Sequence, residues 1–277
     1  MPSEELAQTL AQRYAEIPQV LAVALAGSRT AGKRDAHSDI DLYVYGREDI
    51  PVEPREAIAR RRADRWEVDN RFWESGDEWF EREGGTHVDV MFRSTDFVED
   101  YLDRLLIRHE ARLGYTTAVW HNLRTSQILF DRAGWLGQLQ EKAAAPYPDE
   151  LARAIIAKNV PLLRGAIGAY PRQIELAVKR ADLVAVNHRA AELLASFFDV
   201  LFALNRAPHP GEKRLLVYAG ALPRVPRDLS ARIEALLSFN PTTLQQVPGH
   251  VDALVNDLEE LLVRAGQLPG PHGVAPV

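Results

Sequence analysis

The sequence predicts an α+β protein: a mixed sheet with flanking helices over residues 1–145, then an all-α helical bundle over residues 146–266. Three observations carry this reading. Short runs in the strand period stand at residues 20–27, 38–46, 86–93 and 126–131, with helical patterns between several of them. Strand signals stop after Pro146, and every later apolar pattern is helical. The segment "AAAPYPD" (143–149) separates the two regimes and marks a domain boundary.

Each element follows in order. Residues 3–16 place Leu6, Leu10 and Tyr14 on one helical face, with Ser3 as N-cap. "VLAVALAG" (20–27) is a buried strand ending in glycine. "SDIDLYVYG" (38–46) alternates, with Ile40, Leu42 and Val44 on one face and Asp39, Asp41 and Tyr43 on the other. A helix runs from Pro54 to about Trp66. "WEVDNRFWE" (66–74) and "DEWFERE" (77–83) are strand or hairpin material, and Gly84-Gly85 turns the chain into "THVDVMFR" (86–93). There Val88, Val90 and Phe92 share one face and His87, Asp89 and Met91 the other. "STDFVEDYLDRLLIRHEARLG" reads as one capped helix ending at Gly114, "SQILFD" (126–131) as a last strand, and a helix starts near Ala133. Three helical stretches follow, "PDELARAIIAKNVPLLRGAIGAY", "QIELAVKRADLVAVNHRAAELLASFFDVLFALNR" and "HVDALVNDLEELLVRAG", broken by Pro171, Pro208, Pro210 and later prolines. Residues 267–277, rich in proline and glycine, form a tail with no need of order.

Composition excludes several classes of function. The chain has no cysteine, so disulfides, thiolate zinc sites and cysteine nucleophiles are ruled out. No basic-then-apolar leader and no apolar run of about 18 residues is present, which predicts a cytoplasmic protein with no membrane partner. Residues 1–140 hold 18 Lys/Arg against 25 Asp/Glu, and residues 141–277 hold 15 against 14. Neither half carries the basic footprint of a protein whose main partner is a long nucleic acid. The run Arg60-Arg61-Arg62 with Arg65 sits among Glu53, Glu56, Asp64 and Glu67 and reads as a solvated, salt-bridged helix face.

The stretch "LAGSRTAGKRDAHSDIDLYVY" (25–45) allows two readings. Gly27 to Lys33 spells most of a P-loop, G-x-x-x-x-G-K. Arg34 then stands where a magnesium-binding hydroxyl is required, and no long helix follows. The other reading takes Asp39 and Asp41 as paired carboxylates. At i and i+2 on a strand they project from one face, close enough to share cations. Oxygen ligands of this kind suit Mg²⁺ held together with substrate phosphates. A third acid on a neighbouring strand would complete a two-metal site, and Asp89 stands mid-strand on a polar face. Gly27-Ser28 at a strand end permits close backbone approach to phosphates.

The pattern "LAGS" (25–28), ten residues, "DIDL" (39–42), with "HVDVMF" (87–92), resembles the signature of the polymerase β-like nucleotidyltransferase superfamily. The later strand–helix "ILFDRAGWLGQL" and the C-terminal helices look like the bacterial small-molecule branch, which includes aminoglycoside and lincosamide adenylyltransferases. The resemblance implies a nucleotidyltransferase-type sheet. It also implies transfer of a nucleoside monophosphate from an NTP, with ATP the default, to a hydroxyl of a small-molecule acceptor, releasing pyrophosphate. In its terms Gly27, Ser28 and Ser38 would hold the triphosphate. Asp39 and Asp41 would bind Mg²⁺, two ions in all, and Asp89 would complete the metal site or act as base. Lys213, in "NRAPHPGEKRLL", would reach the triphosphate from the helical domain, with Arg214 and Asn205 as weaker candidates. The same chemistry on a protein or tRNA acceptor, and a non-catalytic nucleotide-binding module, stand as alternatives.

Other residues have blander readings. Trp66, Trp73 and Trp79 read as core packing, though a base or sugar could stack on them. Glu74, Glu78, Glu81 and Glu83 would suit a cationic acceptor or simply keep a hairpin soluble. Arg180, Asn187 and Glu192 interrupt an apolar helix and read as capping or surface residues. His188 and Glu192 lack a third zinc ligand. His37 and His87 flank the acids without an assigned role.

Overall fold

The computed structural model describes residues 3–26, 39–72 and 74–268. The chain is a mixed α+β sheet followed by an all-α bundle, as its patterning predicts. It divides into two compact units, Met1–Asp103 with Val119–Ala145, and Arg104–Ala118 with Pro146–Val277.

In the first unit the order is α1 (Ser3–Ala15), β1 (Val20–Ala26), β2 (Ile40–Gly46), α2 (Val52–Arg62), β3 (Trp66–Asn70), β4 (Gly76–Phe80) and β5 (His87–Ser94). Then come α3 (Thr95–Leu106), α4 (Ala118–Thr125), β6 (Gln127–Asp131) and α5 (Trp135–Ala143). The six strands lie in the order β3-β4-β5-β2-β1-β6. Among them only β2 and β5 run parallel; the other neighbours are antiparallel. A parallel pair needs a crossover, and α2 with the β3–β4 hairpin supplies it.

The period of two decides which side chains are buried. Ile40, Leu42 and Val44 of β2 and Val88 and Val90 of β5 face the core with Leu6, Leu10 and Tyr14 of α1. Trp79 joins them, which fits its reading as a packing residue, and Trp66 packs partly buried against the same cluster. The core also holds charge. Arg55 of α2 forks onto Asp77 of β4 at 3.0 and 2.5 Å while its guanidinium lies 3.9 Å from the centre of the Phe92 ring. Desolvation raises the Asp77 carboxyl against the lowering pull of Arg55 and of the Asp69 amide.

The other face of β2 is covered at one end. Tyr43 and Tyr45 are buried there, Trp135 of α5 lies 5.4 Å from the Tyr45 ring, and Asn122 of α4 donates to the Tyr43 hydroxyl. Asp131 at the end of β6 accepts from the backbone N–H groups of Leu136 and Gly137, which fastens the first turn of α5. Helix α4, which the sequence reading passed over, buries Trp120 and Leu123, and the Trp120 indole donates to the Ala143 carbonyl at 2.7 Å.

The second unit contains α6 (Asp149–Leu163), α7 (Tyr170–Lys179), α8 (Leu183–Leu204), α9 (Leu215–Gly220), α10 (Leu229–Leu237) and α11 (Val247–Arg264). Helix α8 is its axis; every residue from Ser196 to Leu204 is buried. Among the described residues no helix is long and apolar enough to cross a membrane.

Three expectations need correction. The helix drawn from Ser94 to Gly114 ends at Leu106, and His109, Gly114 and Tyr115 all have positive φ. That segment is held by the second unit instead. The Thr116 N–H and hydroxyl donate to Asp199 at 3.0 and 2.6 Å, and Asn159 accepts from the Gly114 N–H and donates to the Arg112 carbonyl. Pro171 begins a helix rather than breaking one; in the first turn of α7 its missing N–H has no partner to lose. The helical run 173–206 is two helices, parted at Ala181 (φ 53°), with the Asp182 carboxylate capping α8 through the Ala185 N–H.

Candidate functional site

The strand register brings the sequence-predicted acids of the sheet together. Asp41 of β2 stands directly opposite Asp89 of β5 in the parallel ladder. Paired residues on neighbouring strands project to the same face about 4.8 Å apart. Asp89 is in turn opposite Glu78 of β4, and Glu78 is opposite Glu67 of β3. On its other side Asp41 pairs with Ala26, the last residue of β1. Four carboxylates therefore form a row across four strands, and the row reaches the point where the sequence continues into Gly27-Ser28.

Asp39 precedes β2 and is exposed, with its carboxylate 3.7 Å from the His87 Nδ1. The ladder pairs Ile40 with Val88, so Asp39 lies level with His87, one row before Asp41 and Asp89. His87 thus stands beside Asp39, as its position flanking the acids predicts. Asp41 and Asp89 are half-buried.

Below the acid row the same face is packed and rigid. Arg93, opposite Tyr45 in the ladder, lies over the Tyr43 ring at 4.2 Å and forks onto Glu74 at 2.8 and 2.9 Å. Burial raises the Tyr43 phenol; Arg93 pulls it down, and Asp41 and Glu74 push it up again. Tyr43 is two residues from Asp41, so this clamp fixes the strand that carries the acids.

The four glutamates grouped by sequence part company in space. Glu74 pairs with Arg93. Glu81 is buried, accepting from Arg62 at 2.8 and 2.9 Å and from the Trp79 indole at 2.8 Å. Glu83 is exposed in the turn before β5. Only Glu78 joins the acid row. The signal for it was in the sequence: with Trp79 and Asp77 turned inward, Glu78 and Phe80 must face the other way.

Gly27, Ser28 and Ser38, with Lys33, His37 and Trp73, lie outside the described residues. Lys213 is exposed in the turn before α9, in the second unit. Arg214 follows it with φ 56°. Asn205 is structural; its amide donates to the Leu201 and Arg224 carbonyls. Glu192 pairs with Arg189 and His188, so it is committed to its own helix surface.

The donor set suits a hard divalent cation, since it is made of carboxylate oxygens on adjacent strands. Among the described residues no group of three His, Asp or Glu is close enough to hold a metal ion in these side-chain positions. The register supplies two neighbouring carboxylates, Asp41 and Asp89, with Asp39 one row away.

A family model described as a domain of unknown function (DUF4037) matches residues 116–215. That span begins at Thr116, includes its partner Asp199 and ends at the first residue of α9. No curated protein sequence matches the chain. Among solved structures the chain is similar to a nucleotidyltransferase-like protein from Exiguobacterium sibiricum, at 17% identity over 95% of this chain and 75% of that one, with a TM-score of 0.44. It is also similar to the CCA-adding enzyme of Thermotoga maritima, solved with tRNA, at 12% identity over 96% and 82% of the two chains, with a TM-score of 0.34. At these values neither likeness assigns an activity to this chain.

Proposed function

We propose that this protein is a cytoplasmic nucleotidyltransferase that moves a nucleoside monophosphate from Mg²⁺-NTP, with ATP the default donor, to a hydroxyl of a small-molecule acceptor. The observation that carries the reading is the pairing of Asp41 with Asp89 on parallel neighbours, next to the strand end that leads into Gly27-Ser28. Asp39, Asp41 and Asp89 would hold Mg²⁺. When bound, the metal supplies charge neutralisation at the triphosphate and a lowered pKa for the attacking hydroxyl.

In this reading the chain's own residues position and exchange charge. Gly27, Ser28 and Ser38 would receive the phosphates. The acceptor oxygen forms a bond to the α-phosphorus as the bond to the bridging oxygen breaks, and pyrophosphate leaves with that electron pair. The hydroxyl proton passes to a carboxylate of the row, Asp89 or a glutamate beside it. Rate comes from holding the reacting atoms in line and from fixed charge. Neither half of the chain is basic, which weighs against tRNA as the acceptor.

Thermal shift with each NTP, with and without Mg²⁺, tests the reading on wild type, Asp41→Asn, Asp89→Asn and Lys33→Ala. A ligand at about one hundred times its Kd stabilises the native state by about 2.7 kcal/mol. Mg²⁺-NTP should stabilise wild type and Lys33→Ala and lose that effect in both aspartate variants. Loss in Lys33→Ala alone would instead support a P-loop. Label from an α-³²P-NTP should then pass to small molecules rather than to protein or RNA in a lysate.

A further inference from the structure

The acid row has a neighbour with no part in the scheme above. Phe80, at the end of β4, is opposite His87 in the ladder and so lies on the same face as Glu78, Asp89 and Asp41. Its side chain is 63% exposed. The other aromatic residue of β4, Trp79, is buried on the opposite face at 2%. An exposed phenyl on a surface is ordinary by itself. This one has a second aromatic ring against it: the Phe80 and His87 rings are 4.9 Å apart at 33°. The His87 ring in turn reaches the Asp39 carboxylate at 3.7 Å.

The result is a shelf of two rings alongside the acid row, level with Asp39, with Glu78 two residues before Phe80 on the same face of β4. Strand order sets the direction. Ala26, the last residue of β1, flanks Asp41 on one side, and Phe80 stands on β4, on the far side of Asp89. A molecule reaching Asp89 from the β4 side meets Glu78 directly opposite it and has Phe80 on the adjoining row of the same face. An exposed phenyl ring, held by a tilted neighbour, accepts another flat ring by offset stacking.

We propose that Phe80, backed by His87, is the acceptor shelf of this site, and that the acceptor carries its hydroxyl beside a planar ring, with a donor group to Glu78. This rests on the transferase reading for the ligand's role, and on the ring pair for its shape. Phe80 determines which acceptors are held; it does not touch the reacting atoms.

Saturation-transfer NMR with 2-phenylethanol as the ring-bearing probe and glycerol as the ring-free one tests the shelf directly, with Mg²⁺-NTP thermal shifts run on the same samples. Stacking of a flat ring on an aromatic side chain gives about a tenfold loss on alanine substitution. The ring protons of 2-phenylethanol should receive transfer from wild type and from Phe80→Tyr, about tenfold less from Phe80→Ala, while glycerol receives none. Equal transfer from wild type and Phe80→Ala, or none from wild type, overturns the shelf whatever the nucleotide does. If the ring probe distinguishes the variants but no Mg²⁺-NTP stabilises wild type, the transferase reading has failed, and the assignment of the ring as an acceptor falls with it. Exposure of Phe80 makes a folding defect an unsound excuse for the alanine variant, and Phe80→Tyr checks it.

Discussion

Substituting Asp199 by asparagine should make the stability of the helical unit less sensitive to pH. Asp199 lies in α8, 1% exposed, and accepts the Thr116 N–H, the Thr116 hydroxyl and, at 3.5 Å, the Asn159 amide. Those donors favour the carboxylate, but burial outweighs them and pushes the carboxyl up to about 6. In an unfolded chain the same group titrates near 3.9. The folded protein therefore holds a proton at pH values where the unfolded chain has released it. Stability from this group is highest below about pH 4, falls as pH rises through about 4 to 6, and is level above that. A displacement of about two pH units corresponds to about 3 kcal/mol. Asparagine keeps one of the two oxygens, an acceptor for the Thr116 N–H, and has no proton to lose. Urea denaturation followed by far-UV circular dichroism should find Asp199→Asn gaining on wild type by up to about 3 kcal/mol between about pH 4 and about pH 7.5. A constant offset between the two proteins over that range would refute the reasoning, because it would mean that the folded carboxyl titrates as the unfolded one does.

Other substitutions follow from the same contacts. Arg55→Ala leaves Asp77 buried without its ion-pair partner and should cost about 3–5 kcal/mol, whereas Arg55→Met with Asp77→Leu should recover most of it in the same urea titration. Gly114→Ala meets both a φ of 71° and a methyl 2.9 Å from the Ala195 Cβ, so it should cost about 1–3 kcal/mol; an Ala195→Gly background should relieve only the steric part. Arg93→Ala removes the fork to Glu74 and the cation over Tyr43, and should lower stability by about 1–3 kcal/mol by thermal melt.

Much of the first unit was legible because burial on a sheet follows a period of two. Ile40, Leu42 and Val44 alternate with Asp39, Asp41 and Tyr43 in the sequence, and the core holds the first three. That Asp41 sits beside Asp89 was not legible from periodicity, because pairing of β2 with β5 skips over α2, β3 and β4. The family resemblance supplied the expectation, and the register gives it physical form. The failed helix from Ser94 to Gly114 has the converse cause. Its residues 107–113 carry acceptable helix formers, but the Arg112 carbonyl accepts from Asn159, and the Gly114 and Thr116 N–H groups donate to Asn159 and Asp199, long-range bonds that hold the backbone out of helical geometry. Helix α4 was missed because its one turn of signal, Trp120 with Leu123, follows two β-branched threonines.

The grip of Asp199 on Thr116 has a consequence for how this gene could be cut and recombined. Residues 104–118 belong to the second unit although they are encoded between two parts of the first, so the chain passes from one unit to the other three times. A gene fragment beginning at residue 146 would yield the helices without Thr116, and Asp199 and Asn159 would lose the partners that their burial requires. The bundle is therefore not a module that recombination could transplant as one uninterrupted segment. Any exchange that kept its polar core would have to carry α4, β6 and α5 of the sheet unit along with it.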